Sequence, residues 1–166
     1  PRAVRLQLVL QAFFDGSVVL ALFHVDEVDD DQAGQVTKAQ LAGHLGRALG
    51  NGVLPSEASG LLAHLAVYSG WPSAVSALDV YEQVYTARKI DTATLRGVGP
   101  RLPAQAGDAA RAKAVTEELG AVAPKFVQLT NDVVFDDLWR RSDLSQRDRS
   151  LVTIAALAAT GDADQL

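Results

Sequence analysis

The sequence predicts an all-α fold, and three observations predict it. Apolar residues recur at intervals of three and four from Thr37 onward. Glycine, proline and asparagine interrupt that pattern where helices end and restart. The chain has 166 residues, enough for one ordinary domain, and a chain of this size removes roughly 70% of its unfolded surface from water on folding.

The elements follow in order. Thr37 with Gln40 forms a capping box; Leu41, Leu45, Ala48 and Leu49 then share a face, and Gly50, Asn51 and Gly52 stop the helix. Pro55, Ser56 and Glu57 open the next helix with a proline and an acid in its first turn. Leu61, Leu62, Leu65 and Tyr68 form its apolar stripe before Ser69 and Gly70 end it. Trp71 and Pro72 start a third helix reaching about Ile90, with Ala74, Ala77, Leu78, Tyr81, Val84 and Tyr85 on one face.

Residues 91–107 hold Gly97, Gly99, Pro100, Pro103 and Gly107 and read as a connector between two helical blocks, 37–90 and 108–166. Asp108 caps a short helix through Leu119, and Pro124 opens another through Trp139 carrying Phe126, Leu129, Val133 and Leu138. The last helix begins at Ser145, with Asp148 in capping-box spacing, and ends at Thr160 and Gly161. Leu151, Val152, Ile154, Ala155, Leu157 and Ala158 spread round most of its circumference, so its own domain or another subunit must cover it.

Residues 1–36 are an N-terminal segment of less definite pattern. Residues 6–14 lean towards helix, and 17–25 fit a short strand or a helix equally well. Asp26, Glu27, Asp29, Asp30 and Asp31 form an acidic cluster. It lacks the alternating ligands, the sixth-position Gly and the twelfth-position Glu of a calcium loop, and reads as a solvated loop.

Composition narrows the function classes. The chain contains no cysteine, which excludes disulfides, Cys-ligated zinc, iron–sulfur clusters and thiol peroxidase chemistry for these residues and fits the cytoplasm. The net charge of -5 argues against nucleic acid as a partner, because phosphate binding rests on clustered Lys and Arg. Apolar runs at 18–23 and 154–159 are far shorter than the roughly 20 residues of a membrane helix. No basic segment followed by an apolar run opens the chain, so no signal peptide is expected. Pro1 lacks the surroundings of a catalytic amine and is read as the place where the chain begins. Neither a phosphate-binding Gly-Lys loop nor an H-E-x-x-H zinc pattern is present, so no metal or other cofactor is expected.

Two stretches carry a resemblance. His44, Leu45, Ala48, Asn51 and Gly52, then Glu57, then His64, Leu65, Ala66, Tyr68, Gly70, Pro72 and Ala74 follow H-L-x-x-A-x-x-N-G, E, and H-L-A-x-Y-x-G-x-P-x-A. This resembles the C-terminal half of the carboxymuconolactone decarboxylase family module. Residues 122–166, with Asn131 to Phe135, Leu138, Trp139, Arg140, Arg141, Leu144 and Arg147 to Thr153, resemble its N-terminal half. The resemblance implies the alkylhydroperoxidase D-like helical bundle. In the family the halves stand in the opposite order, so the chain reads as a trimmed tandem repeat or as a circular permutation. A shift of 145 residues lays Arg2, Leu6 and Gly16 on Arg147, Leu151 and Gly161, so 1–16 reads as a worn first half module. Half modules expose broad apolar faces, and the expectation is a homo-oligomer whose subunits complete the module, with helices exchanged in one version.

The resemblance also implies chemistry. The peroxidase branch uses C-x-x-C-x-x-x-H; His44 falls on its His, but Thr37 and Gln40 stand at the Cys places, and Asp162 and Gln165 in the C-terminal repeat. The decarboxylase branch has a carboxylate at the second of these places, pairing with the His for proton transfer while a carboxylated lactone loses carbon dioxide. Gln40 is neutral and cannot shuttle a proton. His44 is therefore the first candidate acid or base, with His64 and Tyr68 as further catalytic candidates. Glu57, His64 and Tyr68 lie near one helix face, so Glu57 or Tyr68 could set the His64 tautomer. Trp71 with Tyr68 could line an apolar pocket, and Arg140, Arg141, Arg147 and Arg149 could anchor a substrate carboxylate, with Arg147 and Arg149 foremost. Against each stands packing, capping or surface charge. Two functions follow: a lyase acting on a small carboxylated lactone or related acid, or a non-catalytic oligomeric binding or assembly module of the same fold.

Overall fold

The computed structural model of the chain describes residues 31–96, 99–162 and 164. The readings made on residues 1–30 and on Gln165 lie outside the described residues. The described part is helical, with no strand. Six α-helices run in order: α1 Asp31–Gly50, α2 Pro55–Tyr68, α3 Trp71–Ala87, α4 Asp108–Leu119, α5 Pro124–Leu129 and α6 Gln146–Thr160. Short 3-10 turns at Thr92–Arg96 and Leu138–Arg140 and a π-helical turn at Thr130–Phe135 complete the path.

Local chemistry sets most of the ends. The α1 helix stops where Val53 N–H reaches back to the Ala48 carbonyl and Gly52 takes a φ of 95°, a conformation open to glycine. Pro55 stands at the first position of α2, and the Glu57 carboxylate accepts the Leu54 N–H at 2.8 Å. Gly70, again at φ 95°, turns the chain from α2 into α3. At α6 the Ser145 hydroxyl accepts the Asp148 N–H at 3.1 Å, and Gly161 closes the helix in the left-handed region.

Four sequence expectations need correction. The α1 helix starts at Asp31, six residues before Thr37; Gln32, Ala33 and Gln35 are helix-tolerant residues, and Gly34 among them does not interrupt the helix. The α3 helix ends at Ala87, because Lys89 enters the left-handed region at φ 54° and Ile90 N–H turns back to the Tyr85 carbonyl. Gly107, not Asp108, is the N-cap of α4; Asp108 is its first residue, and its carboxylate accepts the Gln105 N–H at 2.7 Å. The helix expected from Pro124 to Trp139 breaks in two places. The Asp136 N–H bonds the Asn131 carbonyl five residues back, the widened π spacing, and a tight 3-10 turn follows. That sequence of turns re-aims Phe135 and Trp139 relative to a straight helix.

The core lies between α1, α2 and α3 on one side and α2 and α6 on the other. Leu41 and Leu45 of α1 meet Ala77, Val80, Tyr81 and Tyr85 of α3; Leu61, Leu62 and Leu65 of α2 fill the centre; Val152 and Ala156 of α6 close it. Each buried leucine contributes roughly 1.5–3 kcal/mol. Tyr85 and Tyr81 bury their rings and donate their hydroxyls to the Pro55 and Ala58 carbonyls. Only part of α6 is covered: Val152, Ala156 and Leu157 are buried, whereas Ile154 is 46% exposed. The connector is tied to the second block, with Leu102 N–H on the Arg140 carbonyl at 2.7 Å and the Gln146 amide on the Pro103 carbonyl at 2.8 Å.

Candidate functional site

The α2 sequence places Gly60, His64 and Tyr68 four residues apart, and that spacing stacks them in one row along the helix. The row faces α6 and the segment that leads into it. At its first position Gly60 has no side chain, and an added Cβ would stand 2.7 Å from the Asp143 Cγ. The missing methyl is what lets the Asp143 carboxylate reach the helix surface. That carboxylate accepts from Arg149 Nη2 and, at 3.0 Å, from Arg141 Nε.

Arg149 is wholly buried. Its Nη2 also donates to the Arg141 carbonyl at 3.2 Å, and its Nη1 stands 3.3 Å from His64 Nδ1. A guanidinium only donates, so Nδ1 must accept and the neutral imidazole carries its proton on Nε2. The Nε2–H accordingly donates to the Thr153 hydroxyl at 2.9 Å. Burial, reinforced by the Arg149 charge, pushes the His64 pKa down to about 3, so the ring is neutral at ordinary pH. With both nitrogens engaged and no exposed surface, His64 holds its neighbours in place.

Tyr68 forms the outer end of the row and is partly exposed. Its hydroxyl oxygen accepts from Trp139 Nε1 at 2.8 Å. Burial holds the phenol above its ordinary range, against the opposing pulls of Trp139, Thr153 and the Arg111 charge. The rings of His64, Tyr68 and Trp139 pack as a group, with centroids 5.0 Å apart for His64 and Tyr68 and 5.1 Å for His64 and Trp139. Phe135 stacks on Trp139 at 6.0 Å, and the Arg111 guanidinium lies 3.4 Å above the Phe135 ring centre. A cleft of about 430 Å³, counted with its open mouth, begins there and is lined by Asp108, Arg111, Asn131, Phe135, Asp136 and Arg140 among others.

The structure thus brings His64, Tyr68 and Arg149 together and sets the other sequence candidates apart. His44 lies on α1, nearly buried, with Nδ1 accepting from Arg47 Nη2 at 2.7 Å. Gln40, one turn earlier, is exposed. Trp71 is 69% exposed at the start of α3, and Arg147 is exposed on α6. Arg140 is bound to the Asp136 carboxylate and the Leu102 carbonyl. Glu57 does not set the His64 tautomer: its carboxylate is engaged at the start of α2, and Arg149 sets it instead. Sequence reasoning missed Asp143, Thr153, Trp139 and Arg111 as members of the group. One signal for Asp143 was available, since a glycine in mid-helix marks a close approach by another group.

The model of the Carboxymuconolactone decarboxylase family matches residues 32–83 and 124–166, more than half of the chain. The chain belongs to that family. As a carboxymuconolactone decarboxylase family member it keeps both sides of the buried group within the matched segments: Gly60, His64 and Tyr68 in the first, and Phe135, Trp139, Asp143, Arg149 and Thr153 in the second. The segment between them, 84–123, carries α4 and Arg111 and is not matched. A comparison with curated proteins finds none that matches. Among the described residues no helix is long and apolar enough to cross a membrane. No cluster of three or more His, Cys, Asp or Glu side chains among them is arranged to hold a metal ion.

Proposed function

We propose that the protein is a decarboxylase-type lyase acting on a small carboxylated lactone or related acid, with Tyr68 as the proton donor. The observation that carries this reading is the hydrogen-bonded path from Asp143 through Arg149 and His64 to Thr153, ending beside a Tyr68 oxygen that already accepts from Trp139. Trp139 and Thr153 both bond the Tyr68 hydroxyl, which fixes its oxygen in place. Loss of carbon dioxide breaks a carbon–carbon bond and leaves its electron pair on the lactone as an enolate. A donor held in place by neighbours stabilises the developing oxyanion without reorganising. The same phenol can return a proton to carbon and recover one from solvent. His64 and Arg149 are positioning residues in this scheme.

His44 is the second acid candidate, because the Arg47 contact makes Nδ1 an acceptor and leaves the N–H on Nε2. The neutral, exposed Gln40 favours the alternative of a non-catalytic binding module. Carbon dioxide release from γ-lactone carboxylic acids tests these readings. The wild type is expected to release it, and Tyr68→Phe to lower kcat by about 10²- to 10³-fold. A full rate in Tyr68→Phe with a loss in His44→Gln would move the donor to His44. Binding of the acids with no release would leave the binding module.

Assembly into a homo-oligomer belongs to the same proposal. Leu119, Val122, Phe126, Leu129 and Val133, from the end of α4 through the following turn to α5 and the π turn, are all exposed, apolar surface suited to a second copy of the chain. Sedimentation of the purified protein tests it, and a monomer at all concentrations would refute it.

A further inference from the structure

We infer that Arg111 is the anchor for a carboxylate of the bound acid, specifically the carboxylate that stays on the substrate. Arg111 differs from the arginines around it. Arg101, Arg140, Arg141 and Arg149 each pair with an aspartate, whereas among the described residues no carboxylate lies within 4.0 Å of an Arg111 nitrogen. Its guanidinium is nonetheless held in one orientation. The plane sits over Phe135, and Nη1 donates to the Asn131 Oδ1 at 3.1 Å. Nε is out of contact with solvent and has no acceptor within the protein, so an anion reaches this guanidinium by its terminal nitrogens.

The cleft's own carboxylates stay beyond salt-bridge distance of Arg111, although the Asp108 charge favours its cationic form. Asp108 accepts the Gln105 N–H, and Asp136 is shared between Arg101 and Arg140. An incoming carboxylate would meet the terminal N–H donors of a fixed, partly desolvated guanidinium. Phe135 also stacks on Trp139, whose Nε1 donates to the Tyr68 hydroxyl, so one chain of packed rings links the Arg111 cleft to the proton donor.

The choice of carboxylate follows from transition-state logic. A salt bridge to the departing group would stabilise the ground state and oppose the loss of carbon dioxide, whereas one to a spectator carboxylate orients the substrate at no such cost. This inference rests on the lyase reading for the identity of the acid. It also goes beyond what the family match covers, since Arg111 lies in the unmatched segment.

Calorimetric titration with a γ-lactone dicarboxylic acid and with its monomethyl ester at the spectator carboxyl tests it, alongside separate measurement of carbon dioxide release. Arg111→Gln is expected to weaken the diacid roughly ten- to hundredfold and leave the ester nearly unchanged. Arg111→Lys, which keeps the charge and loses the fork, should fall between and controls for folding. Equal diacid affinity in wild type and Arg111→Gln, or an equal loss for diacid and ester, would overturn the assignment. Failure of the lyase reading would show differently: the wild type would bind the diacid with the Arg111 dependence intact and release no carbon dioxide.

Discussion

Arg149 Nη1 stands 3.3 Å from His64 Nδ1, a contact between residues 85 positions apart in the chain. It makes a neutral imidazole the partner of a buried cation whose counter-charge is Asp143, on the other side of the guanidinium. The charge is balanced by the carboxylate, and the histidine serves as an oriented acceptor.

Removing that carboxylate should therefore cost much more than removing the pair. Asp143→Leu leaves the Arg149 charge buried and unpaired, and a loss of roughly 3–5 kcal/mol is expected. The double variant Asp143→Leu with Arg149→Met should recover a large part of it. Urea denaturation of the single and double variants measures both, and additive losses would show that the two residues do not act as a pair.

Gly60→Ala is expected to destabilise the fold by roughly 1–3 kcal/mol, although alanine in mid-helix is otherwise worth up to about 1 kcal/mol more than glycine. The new Cβ would meet the Asp143 Cγ at 2.7 Å, and that carboxylate cannot move aside without leaving Arg149. Thermal unfolding reads the sign. A raised melting temperature would mean that the carboxylate has room to shift.

The His64 pKa makes stability depend on acid in a stated direction. The group titrates near its ordinary 6.5 in the unfolded chain and about 3 in the folded one. Below 6.5 the unfolded state takes up a proton that the folded state refuses. Stability from this group is thus complete above pH 6.5 and falls by about 1.4 kcal/mol per pH unit as pH drops towards 3. Comparing urea midpoints of wild type and His64→Gln between pH 7 and pH 4 isolates the effect, and parallel curves for the two proteins would refute it.

Lys89 occupies the left-handed region at φ 54° and is exposed. Lys89→Gly should stabilise the protein by up to about 1 kcal/mol, because the lysine Cβ is strained there and glycine is not. A higher urea midpoint with an unchanged slope is the expected result.

The helices were largely legible in the sequence, and the errors share a cause. Pro55, Ser145 with Asp148, and the glycines at 52, 70 and 161 act within a few residues of themselves, so their effects are readable locally. The end of α3 was placed too late because Lys89 is not a residue type that announces a left-handed turn. The break at residues 130–135 was missed because apolar spacing does not distinguish an α turn from a π turn of similar pitch.

The candidate site was legible in pieces. His64, Tyr68 and Arg149 could be picked out by type and by motif, while Asp143, Thr153, Trp139 and Arg111 sit in sequence contexts that fit capping, packing or surface roles equally well. Arg149 shows the difficulty most clearly. Its motif reads as a solvent-side anchor, yet it is wholly buried and engaged by Asp143, Arg141 and His64.

By itself the sequence determined the helical class, the main starts and stops and the family, because periodicity, capping and motif spacing are properties of neighbouring residues. Only the tertiary structure decided that His64 is a neutral, buried brace and that Arg111 lies over Phe135 with no carboxylate in salt-bridge reach among the described residues. Burial and electrostatic pairing depend on atoms brought together from distant parts of the chain, and no local pattern contains that information.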